Sequence, residues 1–260
     1  MSASVQTSVE DGIGTLRLCR GKQMNSLDAD TARAIRNAVE RFAAADAVRV
    51  MVLAGEGRAF SAGGDFNWVL TWPELDAITR HAGADAMMGA VQAIYDFPKP
   101  SIARVHGAAV GGGIGMMLAC DFVVAVSSAR FGLTSVRNGL LAAIAIPVLI
   151  ETVGPRAARQ LLMHGGTFDS ATALRLGIVD QVVEDDSLDA TVVALAQELK
   201  LGAPSVQRLI KKLVTQIDAL PHDSSAADIL GGHVANQSVT EEALEGMSAF
   251  LAKRKPKWAV

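Results

Sequence analysis

Two glycine-rich stretches, about fifty residues apart, constrain this chain more than any other feature. The first is FSAGGD at residues 60–65 and the second is GGGIG at residues 111–115. Each follows an apolar run typical of a buried strand, at 50–54 and at 102–105. Because glycine has no Cβ, a glycine-rich backbone can turn sharply and approach a ligand closely. Two such turns that face one point can aim two peptide N–H groups at one carbonyl oxygen, which is the arrangement of an oxyanion hole.

Strand and helix signals alternate along the rest of the chain. Residues 5–9 and 15–18 flank a turn and predict a hairpin, and Asp28 is a suitable N-cap for a helix over 29–45. From Ser187 onward the pattern is helical and carries no strand signal. These signals predict an α/β fold in which strand–strand–helix units repeat before a helical tail.

One stretch of the second half predicts two separate helices, over 145–153 and over 155–163. Pro155 marks the start of the second, because proline suits the first position of a helix. No linker between two domains is evident in the sequence.

The composition excludes several classes of protein. The 260 residues are half hydrophobic and one fifth charged, which is typical of a globular chain that can bury a core. The net charge of -3, without a basic stripe, argues against a nucleic-acid binder. Cys19 and Cys120 do not make a disulfide framework, no cluster has metal-ligand spacing, and no apolar stretch is long enough to span a bilayer. We therefore expect a cytoplasmic protein without a metal or a membrane partner.

Six segments together carry a resemblance to a known family. They are NSLD at 25–28, RAFSAGGD at 58–65, the run over 111–121, and the stretches at 131–140, 168–177 and 249–254. In these motifs and their spacing the chain resembles the crotonase (enoyl-CoA hydratase/isomerase) superfamily over essentially its whole length. The resemblance implies a crotonase-type spiral of repeated β-β-α units at residues 1–195, followed by a C-terminal helical trimerisation region at 196–260.

The resemblance assigns the chemistry to the two glycine-rich loops. In the family, backbone N–H groups at the positions of Ala62 and Gly112 bind the oxygen of an acyl-CoA thioester. Proton removal at Cα, addition of water to an α,β double bond and loss of CO2 all pass through an enolate-like thioester. One donor aimed at such an oxyanion contributes roughly 2.7–4 kcal/mol. The alternative is that these glycines only allow tight packing of helix on strand.

The resemblance also implies which residues contact the substrate. The segment at 20–25 lies along the CoA nucleotide in the family, so Arg20 and Lys22 are candidate phosphate contacts, with solvated surface side chains as the alternative. The acyl group is expected against 66–70 and 140–146. The expected substrate-binding residues are Lys22, Ala62, Gly63, Gly64, Asp65, Phe66, Gly112 and Leu140. Asp65 is expected mainly to shape its loop, and CoA enters as part of the substrate with no further cofactor.

The carboxylates that the family uses for acid–base chemistry are missing here. Hydratases of the family place one glutamate where this chain has Gly115 and a second where it has Ser135. The flanks of Ser135, LT at 133–134 and GL at 139–140, make the second alignment firm. The pattern is most similar to the branch that includes methylglutaconyl-CoA hydratases, which already lacks the first glutamate. Ser135 is retained as a candidate catalytic residue that positions water or substrate, because serine needs an activating group to act as a base.

Three functions stay open at this point. The first is a lyase or isomerase of the enoyl-CoA hydratase type, as found in fatty acid metabolism. The second is another enolate reaction, such as decarboxylation or thioester hydrolysis, because loss of CO2 forms an enolate without a base. The third is an acyl-CoA-binding protein with little turnover, since a positioned general acid or base typically contributes about 10²–10⁴-fold to a rate.

The helical tail carries more apolar residues than a solvated tail requires. They are Ile229, Val234, Val239, Leu244, Met247 and Phe250. Large exposed apolar faces are unusual in monomers. Because the family forms trimers and dimers of trimers, we expect a homotrimer or a dimer of trimers.

Overall fold

The strands form two sheets in a computed structural model that describes residues 4–220 and 225–259. The strands in these residues are β1 (Val5–Glu10), β2 (Ile13–Leu18), β3 (Val50–Gly55), β4 (Ser101–Val105), β5 (Ala108–Val110), β6 (Phe122–Val126), β7 (Arg130–Gly132), β8 (Thr167–Asp169) and β9 (Gln181–Val183). The larger sheet has the order β1-β2-β3-β4-β6-β9, and the smaller has the order β5-β7-β8. In the larger sheet β1 is antiparallel to β2, and the other neighbours are parallel.

Helices connect the strands and complete the repeating unit. They are α1 (Ala29–Ala44), α2 (Phe66–Val69), α3 (Ala77–Tyr95), α4 (Gly112–Leu118), α5 (Ile146–His164), α6 (Ser170–Arg175), α7 (Leu188–Leu199), α8 (Pro204–Asp218), α9 (Ser225–Gln237) and α10 (Glu241–Leu251). Along the chain, β4 is followed by β5 and α4, and β6 is followed by β7 and α5. Each unit thus adds one strand to each sheet before its helix, which is the repeated β-β-α unit that the resemblance implies.

The first elements form where the sequence predicts them. β1 and β2 pair as a hairpin, with Val5 opposite Leu18. Asp28 caps α1, because its carboxylate accepts a hydrogen bond from the Thr31 N–H at 2.8 Å. The hairpin and the first helix are confirmed.

One feature differs from the sequence-based expectation, and another agrees with it. The pattern does not predict β5, β7 and β8, because three residues are too few to show an alternating period. The two helices predicted over 145–153 and 155–163 are confirmed, because α5 consists of two helical segments that are separated at Gly154. Gly154 has φ 75° and ψ 161°, so the two predicted helices meet at a bend there.

The core lies on the larger sheet, and the last helices lie largely outside it. Every residue of β3 is buried, and α1 buries Ile35, Val39 and Phe42. By contrast, α8 has no buried residue. Large side chains of α9, of α10 and of the turn between them are exposed, namely Val234, Val239, Leu244, Met247, Phe250 and Leu251. The α/β fold with a helical C-terminal region is confirmed, while the predicted domain boundary at residue 195 falls inside α7 and stays a prediction.

Within the part of the chain that the structure describes, no helix has both the length and the apolar character needed to cross a bilayer.

Candidate active site

The two glycine-rich loops meet at one edge of the larger sheet. β3 and β4 are parallel neighbours, so the loops that follow them leave from the same edge. Ser61 and Ala109 form a bridge between these loops. The Ser61 N–H donates to the Ala108 carbonyl at 3.1 Å, and the Val110 N–H donates to the Ser61 carbonyl at 2.9 Å. The two loops are therefore hydrogen-bonded to each other.

Only glycine fits where the loops touch. Gly63 has φ 82°, and a Cβ on it would lie 2.6 Å from Val110 O and 2.8 Å from Gly112 N. A Cβ on Gly113 would lie 2.5 Å from Ser61 O. These positions leave no space for any side chain, so the glycines are what allows the close approach.

The outward donor of the first loop is the N–H of Gly64. The carbonyl of Gly63 accepts the Leu27 N–H at 2.7 Å. Because that peptide bond is trans, the Gly64 N–H on the same peptide points away from Leu27, and it has no acceptor among the described residues. The N–H of Ala62 instead donates to Met24 O at 2.8 Å. The expected donor Ala62 is therefore corrected to Gly64, because the Ala62 N–H is used inside the fold.

The second loop contributes the N–H of Gly112. Gly112 is the first residue of α4, and the first N–H groups of a helix have no acceptor inside the helix. Elsewhere in the described ranges its N–H finds no acceptor either. Since Gly63 lies against Gly112 N, the loops that carry the two candidate donors, Gly64 and Gly112, are in direct contact.

Asp65 is a buried carboxylate that fixes the first loop. One oxygen accepts hydrogen bonds from the N–H groups of Asn67 at 3.0 Å and Trp68 at 3.4 Å, and the other accepts from Arg20 at 2.8 Å and the Ser26 hydroxyl at 3.1 Å. Burial raises the pKa of Asp65, but the hydrogen bonds from Arg20, Trp68 and Ser26 outweigh it, so the pKa lies below its ordinary value. With every partner inside the chain, this carboxylate shapes the loop and is unsuited to contact substrate or to act as a base.

Arg20 and Lys22 differ sharply in their surroundings. The Arg20 guanidinium donates to Ser26 O at 2.6 Å and pairs with Asp28 at 2.9 Å and with Asp65 at 2.8 Å. These partners engage the Arg20 guanidinium within the fold, which argues against its expected role as a phosphate contact. Lys22 is exposed on a 3-10 turn and keeps its expected role as a candidate phosphate contact.

Backbone closes the position of the family's first glutamate. A Cβ on Gly115 would lie 2.9 Å from Ile144 O and 3.2 Å from Ala145 Cα. The Cδ1 of Ile144 also lies 2.6 Å from where a Cβ on Gly112 would stand. Ile144 and Ala145 are both buried. A glutamate at position 115 therefore requires this backbone to move.

Ser135 lies beside the second loop. Its Oγ is 3.4 Å from the point where a Cβ on Gly111 would stand. It belongs to the 3-10 turn Thr134–Asn138, and its carbonyl accepts the Leu140 N–H at 3.0 Å. The structure thus brings Ser135 to the candidate oxyanion site, where the resemblance aligns the second glutamate.

Apolar side chains follow the first loop. Phe66, the first residue of α2, is 47% exposed, and Leu140 is 37% exposed, so both are accessible to a ligand. Trp68 and Trp72 pack edge to face with ring centroids 5.1 Å apart. Gly83 of α3 supports them, since a Cβ there would lie 2.8 Å from the Trp68 ring. The two tryptophan rings therefore make this side of the expected acyl pocket bulky, and the Trp68 ring packs against Gly83 of α3.

Sequence reasoning missed three parts of this site, namely the Gly64 donor, the Arg20–Asp65 pair and the Ile144 backbone. The Gly64 donor depends on which way a peptide faces, and no residue type records that. Arg20 and Asp65 are 45 positions apart, and their pairing requires the loops to be folded. The one available signal was the run of small and apolar residues at 142–145.

Comparisons with known proteins show the family of this chain. The family described as enoyl-CoA hydratase/isomerase matches residues 8–260. A Thermus thermophilus protein, provisionally assigned as an enoyl-CoA hydratase, is 35% identical over 91% of this chain and 93% of its own length. A carnitinyl-CoA dehydratase of Salmonella enteritidis is 31% identical over 99% of both chains. The crystal structure of an enoyl-CoA hydratase from Shewanella pealeana superposes with a TM-score of 0.94 at 29% identity, over 98% of this chain and 96% of that one. This chain therefore belongs to the enoyl-CoA hydratase/isomerase family, the crotonase superfamily, and is an acyl-CoA-processing enzyme of that family.

Proposed function

We propose that the chain holds a thioester carbonyl oxygen between the N–H groups of Gly64 and Gly112 and stabilises an enolate there. The observation that carries the proposal is this pair of N–H groups, which find no acceptor in the described ranges and belong to loops in contact. Leaving a buried N–H unpaired costs about 1–3 kcal/mol, and Gly112 is buried. An oxygen that bears growing negative charge is the ligand that two such donors favour most.

Two aimed donors supply a large part of the barrier reduction that an enolate reaction needs. Each contributes roughly 2.7–4 kcal/mol when it is fixed before the charge develops. Here both are fixed by the backbone, because the bridge between Ser61 and Ala109 joins their loops. The donors stabilise the enolate and leave the proton transfer to other groups.

The first candidate reaction is addition or loss of water across Cα and Cβ of an acyl-CoA. Relatives named as a carnitinyl-CoA dehydratase and an enoyl-CoA hydratase support this class. Ser135 is the candidate group for the water or hydroxyl at Cβ, since its Oγ lies beside Gly111. Without an activating partner it orients that oxygen and does not remove its proton.

A second candidate is decarboxylation of a malonyl-type thioester. The bond from Cα to the carboxylate breaks, CO2 leaves, the electron pair forms the enolate, and solvent supplies the proton that Cα receives. The closed position at Gly115 and the serine at 135 favour this reaction, because it forms the enolate without a protein base.

The remaining contacts concern the coenzyme and the assembly. Lys22, exposed on its 3-10 turn, is the proposed contact for a CoA phosphate. The exposed apolar side chains of α9 and α10, including Val234 and Phe250, support a homotrimer or a dimer of trimers. No cofactor other than the CoA of the substrate is part of the proposal.

Product analysis tests the proposal. The protein is incubated separately with crotonyl-CoA, methylglutaconyl-CoA and a methylmalonyl-type thioester, and the products are identified by mass spectrometry. Hydrated product supports the first reaction, and CO2 with the shortened acyl-CoA supports the second. Binding of all three thioesters without turnover would select the acyl-CoA-binding alternative, and failure to bind any of them would contradict the proposal.

A further inference from the structure

We infer that Arg20 is a positioning residue of the oxyanion site, which holds the Gly64 N–H in place through Asp65 and does not bind the coenzyme. The inference rests on the proposed function, since it assumes that the Gly64 N–H receives a thioester oxygen.

The contacts of Arg20 join the segment at 26–28 to the end of the first loop. Its guanidinium binds Ser26 O, the carboxylate of Asp28 at the start of α1, and the carboxylate of Asp65 at the start of α2. The Arg20 side chain is 19% exposed. A guanidinium is rigid and planar, so these contacts fix its orientation and turn it toward the protein.

Asp65 transmits this constraint to Gly64. The N–H of Asp65 donates to Leu27 O at 2.8 Å, while the carbonyl of Gly63 accepts the Leu27 N–H at 2.7 Å. Gly64 is thus bracketed by two hydrogen bonds to Leu27, and one of them starts from Asp65. Arg20 holds the Asp65 side chain, so it also limits how far the Asp65 backbone, and with it the Gly64 peptide, can move.

Charge gives Arg20 a second effect on the same site. Asp65 is buried, and Gly64, which precedes it in the sequence, carries the N–H that would meet a developing oxyanion. An unpaired carboxylate next to that site opposes the growth of negative charge there. Arg20 offsets the Asp65 charge at 2.8 Å, in a position where solvent screens the pair weakly.

The experiment separates polarisation of the thioester from binding of the coenzyme. Cinnamoyl-CoA, a conjugated thioester, is titrated into the protein, and the red shift of its absorption on binding reports the pull of the N–H donors on the carbonyl oxygen. Titration calorimetry with free CoA reports coenzyme affinity. Both measurements are made on wild type, Arg20→Met, Arg20→Lys, Asp65→Asn and the double variant Arg20→Met/Asp65→Asn, with Lys22→Met as the matched control for loss of a nearby positive charge.

We expect Arg20→Met to lose more than half of the red shift while its CoA affinity stays within about twofold of wild type. Lys22→Met should show the reverse, a full red shift with weaker CoA binding. Because Arg20 acts through Asp65, the double variant should lose no more of the shift than the worse single variant. Arg20→Lys should recover part of the shift, and it serves as the test variant if Arg20→Met does not fold.

Other results overturn the inference. A folded Arg20→Met protein with the full red shift removes the positioning role, and where Arg20→Met does not fold, a full red shift in Arg20→Lys does the same. A tenfold loss of CoA affinity with the shift intact returns Arg20 to phosphate binding, and additive losses in the double variant break the link to Asp65. If wild type itself binds cinnamoyl-CoA without a red shift, the proposed oxyanion site fails first, so the two failures are distinguishable.

Discussion

The carbonyl oxygen of Ile144 lies 2.9 Å from the point where a Cβ on Gly115 would stand. This contact closes the position at which hydratases of the family carry their first glutamate. The obstacle is backbone, which cannot rotate away as a long side chain can. A glutamate restored at position 115 alone would therefore meet the backbone of Ile144, which would have to move to admit it.

Replacing Gly115 should be costly for that reason. We expect Gly115→Ala to lower the free energy of unfolding by about 1–3 kcal/mol, the usual cost of forcing extra atoms into a packed interior. Gly232→Ala is the matched control, since it is also a helical glycine but has open space around it. The control should be neutral or stabilising by up to about 1 kcal/mol. Urea denaturation measures both, and equal behaviour of the two variants would contradict the packing seen at Gly115.

Ser135→Glu should introduce hydration of a short enoyl-CoA. The flanking residues are those of the family, and the side chain at 135 already lies beside Gly111. A carboxylate there would supply the proton transfer that serine cannot, so we expect a gain of roughly 10²-fold or more in hydration of crotonyl-CoA.

Ser135→Gln is the control for this variant, because it has nearly the same shape without a carboxylate. It should show no gain. A folded Ser135→Glu protein that binds crotonyl-CoA and hydrates it no faster than Ser135→Gln would show that the pocket at Cβ has been remodelled.

Asp65 should make the free energy of unfolding depend on pH in the acid range. Its hydrogen bonds from Arg20, Trp68 and Ser26 outweigh burial and hold its pKa below the ordinary value. A carboxyl with a lowered pKa contributes its stability above its unfolded-state pKa and loses it as the pH falls through the lowered folded-state pKa. The contribution should thus be complete at neutral pH and fade only below about pH 4.

Thermal unfolding of wild type and Asp65→Asn between pH 7 and pH 3 measures this effect. The difference in midpoint between the two proteins should be constant down to about pH 4 and shrink below it. A difference that grows as the pH falls would reverse the sign and show that Asp65 is not held as a paired carboxylate.

The exposed apolar side chains of α10 should be covered in solution. Phe250 is 82% exposed, and sedimentation equilibrium should give a mass that is a multiple of three chains. Phe250→Glu should shift the mass toward one chain. Ile78→Glu, which changes an equally exposed apolar residue outside the tail, should leave the mass unchanged. A stable wild-type monomer at micromolar concentration would contradict this prediction.

The sequence predicts the larger elements because their signals are local. The hairpin at the start, the Asp28 cap and the convergence of the glycine loops each follow from a short pattern and from parallel strand order. The small second sheet escapes prediction because its strands have only three residues each. These strands are far apart in the sequence, and they pair only once the chain is folded.

The candidate site was predictable to the level of the loop but not of the atom. The motif FSAGGD locates the first donor within two residues, yet the choice between Ala62 and Gly64 depends on peptide orientation. The Ala62 N–H donates to Met24 O. The Leu27 N–H donates to Gly63 O, so the Gly64 N–H on the same peptide points away from Leu27. From the sequence, Arg20 is recognisable only as a positive charge. Its ion pairs with Asp28 and Asp65 form only when the loops are folded.

If the Gly64 N–H polarises the thioester, the substitution Gly64→Pro should abolish that polarisation. Proline removes that N–H, which no hydrogen bond in the described part of the chain uses, while Gly64→Ala keeps it and adds a Cβ where no atom lies within 4 Å. The measurement is the red shift of bound cinnamoyl-CoA in the two variants. We predict that Gly64→Ala retains the wild-type shift and that Gly64→Pro, folded and still able to bind the ligand, loses most of it. An undiminished shift in Gly64→Pro would show that the Gly64 N–H does not polarise the thioester.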